Sequence, residues 1–456
     1  MTGLLGMVWM MVMSPAYGVG CTWPDATTFG LGEVGTFVVS DDMILSGEDC
    51  EYEHEGHIQF QGATISIPHN ATVRAHQITM DEATIIQDTC AISDCAGGML
   101  RFIVGGDGVD SSEHNFVSNG AHFLLNAKDG SHTGKSLYIE AEDNIEFHSD
   151  DGGGSDLCDG CDKILLSGKP IIPDIPGIGG NLTLVSGQNI VVDAPINANG
   201  KQSDGIGHHG GAISMTAGGN IDIRSSIITN GKTQAGSINI TASGNVTVGD
   251  TQFETNTSDT GSTGTMRIEG SEIDFTGVLE SKATGTASID GGKAWFFAWE
   301  KLTLTSLSQL LLTGESGAEG GTVRVDVINR SGAEDPSEIN GIIMANSDHG
   351  VGDRLGAGGV VSIHAKTPIQ INGSINAAGG ETDGAPGGQV EIVSTGDIEI
   401  GSGCDIQTGG GHGGRVDIRS RKGAARLAGE ITTTGSGPVW GEEYDWVKDS
   451  TLLVEA

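Results

Sequence analysis

Basic side chains are scarce in this chain of 456 residues: 23 Lys and Arg stand against 60 Asp and Glu, a formal net charge of −37. That balance disfavours nucleic acid and anionic membrane surfaces as partners, because both call for a cationic patch to neutralise phosphate. Beyond the first residues a long apolar run is missing too. The most apolar stretch, residues 294–312, is interrupted by Glu300 and Lys301, so it reads as a bulky layer of a core and not as a membrane span. Cysteine is rare outside the N-terminal part, with six of the seven before residue 162. The string EYEHEGH at 51–57 lacks the HExxH spacing of a zinc protease. Glycine does not recur at every third position, which excludes collagen, and Thr-x-Thr is not repeated from turn to turn, which excludes an ice-binding face.

What the chain has in quantity is glycine, 75 residues, set in a repeated pattern. Nine times between Gly179 and Pro438, two alternating apolar pairs are followed by a third short apolar segment and a glycine-rich break. The clearest copy is residues 387–414, where Val390/Ile392, Ile398/Ile400 and Ile406 alternate with polar residues. Leu182/Leu184 with Ile190/Val192, Ile213/Met215 with Ile221/Ile223, and Ile238/Ile240 with Val246/Val248 repeat it. Period two places the apolar side chains on one face of a strand. Three strands of about five residues cannot bury that face alone. Stacking turn on turn, about 25–38 residues each, supplies the missing burial and pairs each strand's backbone with its equivalents above and below. The sequence therefore predicts an all-β chain: a right-handed single-stranded parallel β-helix of about nine regular coils with an irregular N-terminal cap region. The expected organisation is a secretion signal over 1–20, a cysteine-containing β-rich cap with early coils over 21–168, a Pro/Gly-rich boundary at 169–180, the repeats over 181–438 and a C-terminal cap over 439–456. Trp440, Tyr444 and Trp446 are the aromatics expected to close the last turn.

The signal is read from the apolar residues between Leu4 and Met13 and the small residues after them. Export together with clustered cysteines favours disulfides. Among the connectivities open to six cysteines, Cys90–Cys95 and Cys158–Cys161 close local loops and leave Cys21–Cys50, while Cys404 stands alone as a small core filler. Acidic residues alternating with apolar ones put charge on the outer face, which opposes lateral aggregation. Two acidic loops offer hard oxygen ligands of the kind calcium takes: Asp107 and Asp110 in GGDGVD, and Asp150, Asp151, Asp156 and Asp159 in residues 149–162. For each the structural alternative is a solvated acidic loop. Asn-x-Ser/Thr occurs at Asn70, Asn181, Asn239, Asn245, Asn256, Asn329 and Asn372, a spacing that strand alternation also produces.

The grammar of GGVVSIHAKTPIQINGSINAAGG, residues 358–380, resembles the repeats of filamentous-haemagglutinin-type exoproteins and other right-handed β-helix surface proteins, over more than half the chain. The resemblance implies an extracellular or cell-surface rod with an adhesive role, and extracellular glycans or cell-surface and matrix proteins as partners. Pectin lyases and polygalacturonases share the fold, so a polysaccharide lyase or glycoside hydrolase is the rival function. Its sequence hint is Gly411-His412-Gly413 with Arg415 and Arg419 nearby. The Asp pairs such a motif needs, Asp41/Asp42 and Asp150/Asp151, lie far upstream, so no catalytic residue is assigned. Loops at one corner of adjacent coils lie about 5 Å apart. Asp348, His349 and Asp353, then Glu381 and Asp383, then His412 thus form an expected ladder for a glycan or a divalent cation, with an exposed polar corner as the alternative. His208, His209 and His349 read as solvated loop residues.

Overall fold

A computed structural model describes residues 29–31, 36–45, 50–67, 69–86, 98–105, 114–127, 133–148, 163–167, 177–200, 208–258, 261–284, 291–315, 317–332, 335–347, 356–380, 385–433 and 451–455. Every regular element among them is a strand. The strands form one sheet of 27 and one of 14. Each turn contributes two strands to the larger sheet and one to the smaller, as in Ile238–Ala242, Val246–Val248 and Gln252–Glu254. The next turn stacks on these in parallel register, with Ile238 opposite Met266, Val246 opposite Ile273 and Phe253 opposite Leu279. This is the expected right-handed parallel β-helix. An antiparallel pairing of Phe29–Leu31 with Thr36–Val39 stands at its start.

The stack is longer than nine turns. The smaller sheet begins at Met43–Ile44 and reaches Glu430–Thr432. Upstream turns are regular rather than irregular: His57–Gln61 pairs with Gln77–Asp81, and Thr64–Ser66 with Thr84–Ile86. Pairing also continues across residues 169–180, Leu137 lying opposite Leu182 and Ile164 opposite Ile196. Thr451–Glu455 adds a strand beside Arg415–Ser420. The signal at 1–20 and the aromatics Trp440, Tyr444 and Trp446 fall outside the described residues.

Alternation decides what is buried. Ile398 and Ile400 face the interior while Glu399 between them is exposed, and the inward aliphatics merge into one continuous core. Phe116 and Phe123 of one turn interlock with Phe147 of the next, and Phe253, Phe275 and Phe296 interlock across three successive turns. Cys404 is buried and unbridged, and burial pushes its thiol up to about 11, so it fills space and is a poor nucleophile.

The glycine that closes each repeat, often as the second of a Gly-Gly, has a steric cause. Gly180, Gly211, Gly236 and Gly264 stand two residues before Leu182, Ile213, Ile238 and Met266, which are register partners, so the glycines form a column. Gly236 closes the corner by donating its N–H to the Thr229 carbonyl at 2.7 Å. A Cβ there would stand 1.9 Å from the Gly211 carbonyl oxygen. Only a hydrogen fits between stacked corners.

One turn earlier the column holds Lys135, two residues before Leu137 and 1% exposed. Its ammonium donates to the His69 carbonyl, and burial lowers its pKa from 10.5 to about 8. The folded chain therefore sheds this proton at lower pH than the unfolded chain, so stability should rise with pH between about 8 and 10.5. A gain on the order of 3 kcal/mol is expected. Tyr52, raised by burial, acts in the opposite sense above pH 10. The measurement is therefore the difference between wild type and Lys135→Met in urea unfolding at pH 7.5 and 9.5. An unchanged difference would refute a buried charged lysine.

Candidate functional site

Of the residues expected to form a loop ladder, His412 is described and exposed. It follows the third strand of its turn, Asp405–Gln407, and its backbone bonds to Ala385 at 2.8 Å and Gly387 at 3.0 Å. Asp348, His349, Asp353, Glu381 and Asp383 lie outside the described residues. So do Asp107, Asp110, Asp150, Asp151, Asp156 and Asp159, and Cys21, Cys90, Cys95, Cys158 and Cys161. Cys50 is disulfide-bonded to a partner that is likewise outside. Among the described residues no group of three or more His, Cys, Asp or Glu is placed to hold a metal ion.

One expectation changes. His208 is not solvated: it is 1% exposed, and its Nδ1 accepts the Gly177 N–H at 2.9 Å, because a corner backbone donor needs a buried acceptor. His209 does reach the surface, against Gln234 at 3.2 Å. Arg415 and Arg419, which gave His412 its catalytic flavour, both clasp Asp417, Arg415 at 3.0 Å. Asp417 is 1% exposed, so this triplet neutralises a buried carboxylate on the strand's outer side.

A concave feature of the described surface lies at the same corner on earlier turns, where the chain leaves its third strand. It is an open groove of about 600 Å³ crossing successive turns, lined by Asn126, Ser167, Asn197, Asn199, Asn230, Lys232, Asn256, Ser258 and Thr284 among others. Its amides also hold the corner together. The Asn199 Oδ1 accepts the Asn230 N–H, and the Asn230 Oδ1 the Asn256 N–H, both at 2.7 Å. The Asn256 Oδ1 accepts the Lys282 N–H at 2.8 Å. The remaining amide protons go to carboxylates, Asn230 to Glu254 at 2.6 Å and Asn256 to Glu280 at 2.7 Å. Asn230→Ala should orphan one backbone donor and one carboxylate, costing about 1–2 kcal/mol. Urea unfolding checks this, and a midpoint equal to wild type would show that the ladder is ornamental. Sequence reading missed the groove because its members come from separate turns. The one local signal was an Asn just after each third strand, at Asn199, Asn230 and Asn256. Asn256, Asn181 and Asn245 of the Asn-x-Ser/Thr sites have amides engaged in such ladders, through Lys282, Ala212 and Glu272.

Residues 294–312 are only in part core. On the strand Lys293–Leu304, Ala294, Phe296 and Ala298 point inward, while Trp295, Phe297 and Trp299 take the alternate, outward positions. Register settles the direction: Ala294 and Phe296 lie opposite Met266 and Ile268 of the core. Trp295 is 41% exposed, and the Arg330 guanidinium stacks 4.4 Å from the Trp299 ring.

No family model matches the chain, and no curated protein matches it. Among solved structures it is similar to the HMW1 secretion domain from Haemophilus influenzae, at 13% identity over 87% of this chain and 96% of that one, with a TM-score of 0.35. That degree of likeness carries no functional argument.

Proposed function

We propose that this chain is a secreted or cell-surface β-helix rod with a structural and adhesive role, non-catalytic, that binds extracellular glycan along the groove at its third corner. The observation that carries the reading is the groove itself. It repeats hydroxyls and amides on stacked turns about 4.8 Å apart, open along the rod axis, which suits an extended polymer of repeated polar units better than a compact small molecule. The acidic outer face, with charges paired along strands as in Arg324 with Asp326 at 2.6 Å, supports a soluble, laterally non-aggregating rod.

A glycan array on the purified chain, with and without calcium, tests it. Ser258 is exposed on the groove wall, so Ser258→Trp should fill the groove and weaken binding at least about tenfold without altering the fold. Appearance of new reducing ends or unsaturated uronates in the same incubations would overturn the non-catalytic reading in favour of a polysaccharide lyase or hydrolase. Binding insensitive to Ser258→Trp would remove the groove from it.

A further inference from the structure

We infer that the outward aromatic strip of Lys293–Leu304 is a second glycan site, a stacking platform for a neutral polysaccharide; the inference rests on the adhesive reading above and names its ligand class. Trp295 and Phe297 lie about 6.6 Å apart along the strand, two residues at roughly 3.3 Å each. Register sets Arg267 and Arg324 on either side of Trp295, and Glu269 and Asp326 on either side of Phe297. Arg267 pairs with Glu269 at 2.6 Å and Arg324 with Asp326 at 2.6 Å. The four flanking charges therefore cancel locally. At the far end the strip is walled by Arg330 over Trp299, in a turn held by the Ser331 N–H donating to Glu300 at 2.9 Å.

The chemistry of that arrangement selects its occupant. Ring faces offer apolar area to the C–H face of a sugar. Guanidinium N–H groups left over from each ion pair donate to hydroxyls, and carboxylate lone pairs accept from them. A polyanion is disfavoured by the chain's charge of −37. A protein partner fits poorly, because the apolar band is a single strand wide with ion pairs along both edges, whereas a stable interface needs about 800 Å² per partner around a charge-depleted centre.

The test uses the full chain with cellulose, soluble β-1,4-glucan and β-1,4-xylan oligosaccharides, and polygalacturonate as the anionic comparison. Pull-down and tryptophan fluorescence are read for wild type, Trp295→Ala, Trp295→Lys and Ser258→Trp. Binding of a neutral β-1,4-glycan with a change in tryptophan emission, weakened at least tenfold by both Trp295 variants at unchanged melting temperature, is the expected result. Glycan binding that Ser258→Trp abolishes but the Trp295 variants leave intact would overturn the strip while sparing the adhesive reading. No binding to any polysaccharide would sink both. Tighter binding to polygalacturonate, or a concentration-dependent dimer that Trp295→Ala dissolves, would overturn the strip in favour of an anionic ligand or a second copy.

Discussion

Gly236→Ala is expected to destabilise the central turns by about 4 kcal/mol or more, among the largest effects a single methyl group can have. The new Cβ would stand 1.9 Å from the Gly211 carbonyl oxygen and 2.8 Å from its carbon, backbone atoms that cannot move without breaking the register of two turns. The corner bond from Gly236 to Thr229 would break with it. Two other glycines separate this steric cause from glycine's general flexibility. Gly249 has its nearest neighbour at 3.6 Å, so Gly249→Ala should be neutral or stabilising by up to about 1 kcal/mol through the unfolded chain. Gly332 meets nothing within 4 Å but holds φ at +76°, so Gly332→Ala should cost about 1–2 kcal/mol of backbone strain. Urea unfolding followed by circular dichroism ranks the three. Should Gly236→Ala melt with wild type, the close stacking of corners described above would be untenable.

That column shows why the downstream half of the rod was legible. A glycine two residues before the first inward residue is needed wherever a corner stacks at this distance. It recurs on each turn from Gly180 to Gly414, after another glycine on most turns but after Ala235 at Gly236 and Thr263 at Gly264, so period-two pairs such as Ile213/Met215 could be counted as strands. Upstream the column is interrupted: Gly98 stands two residues before Leu100, but His69 holds the place before Ala71 and Lys135 the place before Leu137. The turn that stacks His57 on Gln77 is too short to carry a glycine-rich break, and the same alternation in residues 57–86 therefore looked irregular. Third strands as short as Ile196–Asn197 carry too little pattern to be found alone. Residues 294–299 were misread for another reason: composition marks them as apolar, but inside and outside differ only by register. Carrying the register of Met266 and Ile268 forward by one turn would have placed Trp295 outside. The groove had no such route, since the spatial neighbourhood of Asn126, Asn197 and Asn256 is a product of stacking and not of any local spacing.

Register also gives the second large expected effect, Phe275→Ala. Phe275 is fully buried and sits edge-on between two rings, Phe253 at 6.1 Å and 84° and Phe296 at 5.7 Å and 81°. Truncation removes one ring and leaves both neighbours facing a void, at an expected cost of about 3–5 kcal/mol. In a stack where each turn touches only its neighbours, the loss should be felt locally before it is felt globally. Amide exchange should therefore accelerate first in Val246–Val248, Thr265–Phe275 and Lys293–Leu304, while Ile398–Ile400 keeps its protection. Trp295→Ala, one residue from Phe296 on the same strand but facing solvent, should change stability by no more than about 0.5 kcal/mol. If the tryptophan substitution proved the more destabilising of the two, the strand would be facing the other way, and the outer aromatic strip would have to be reassigned to the core.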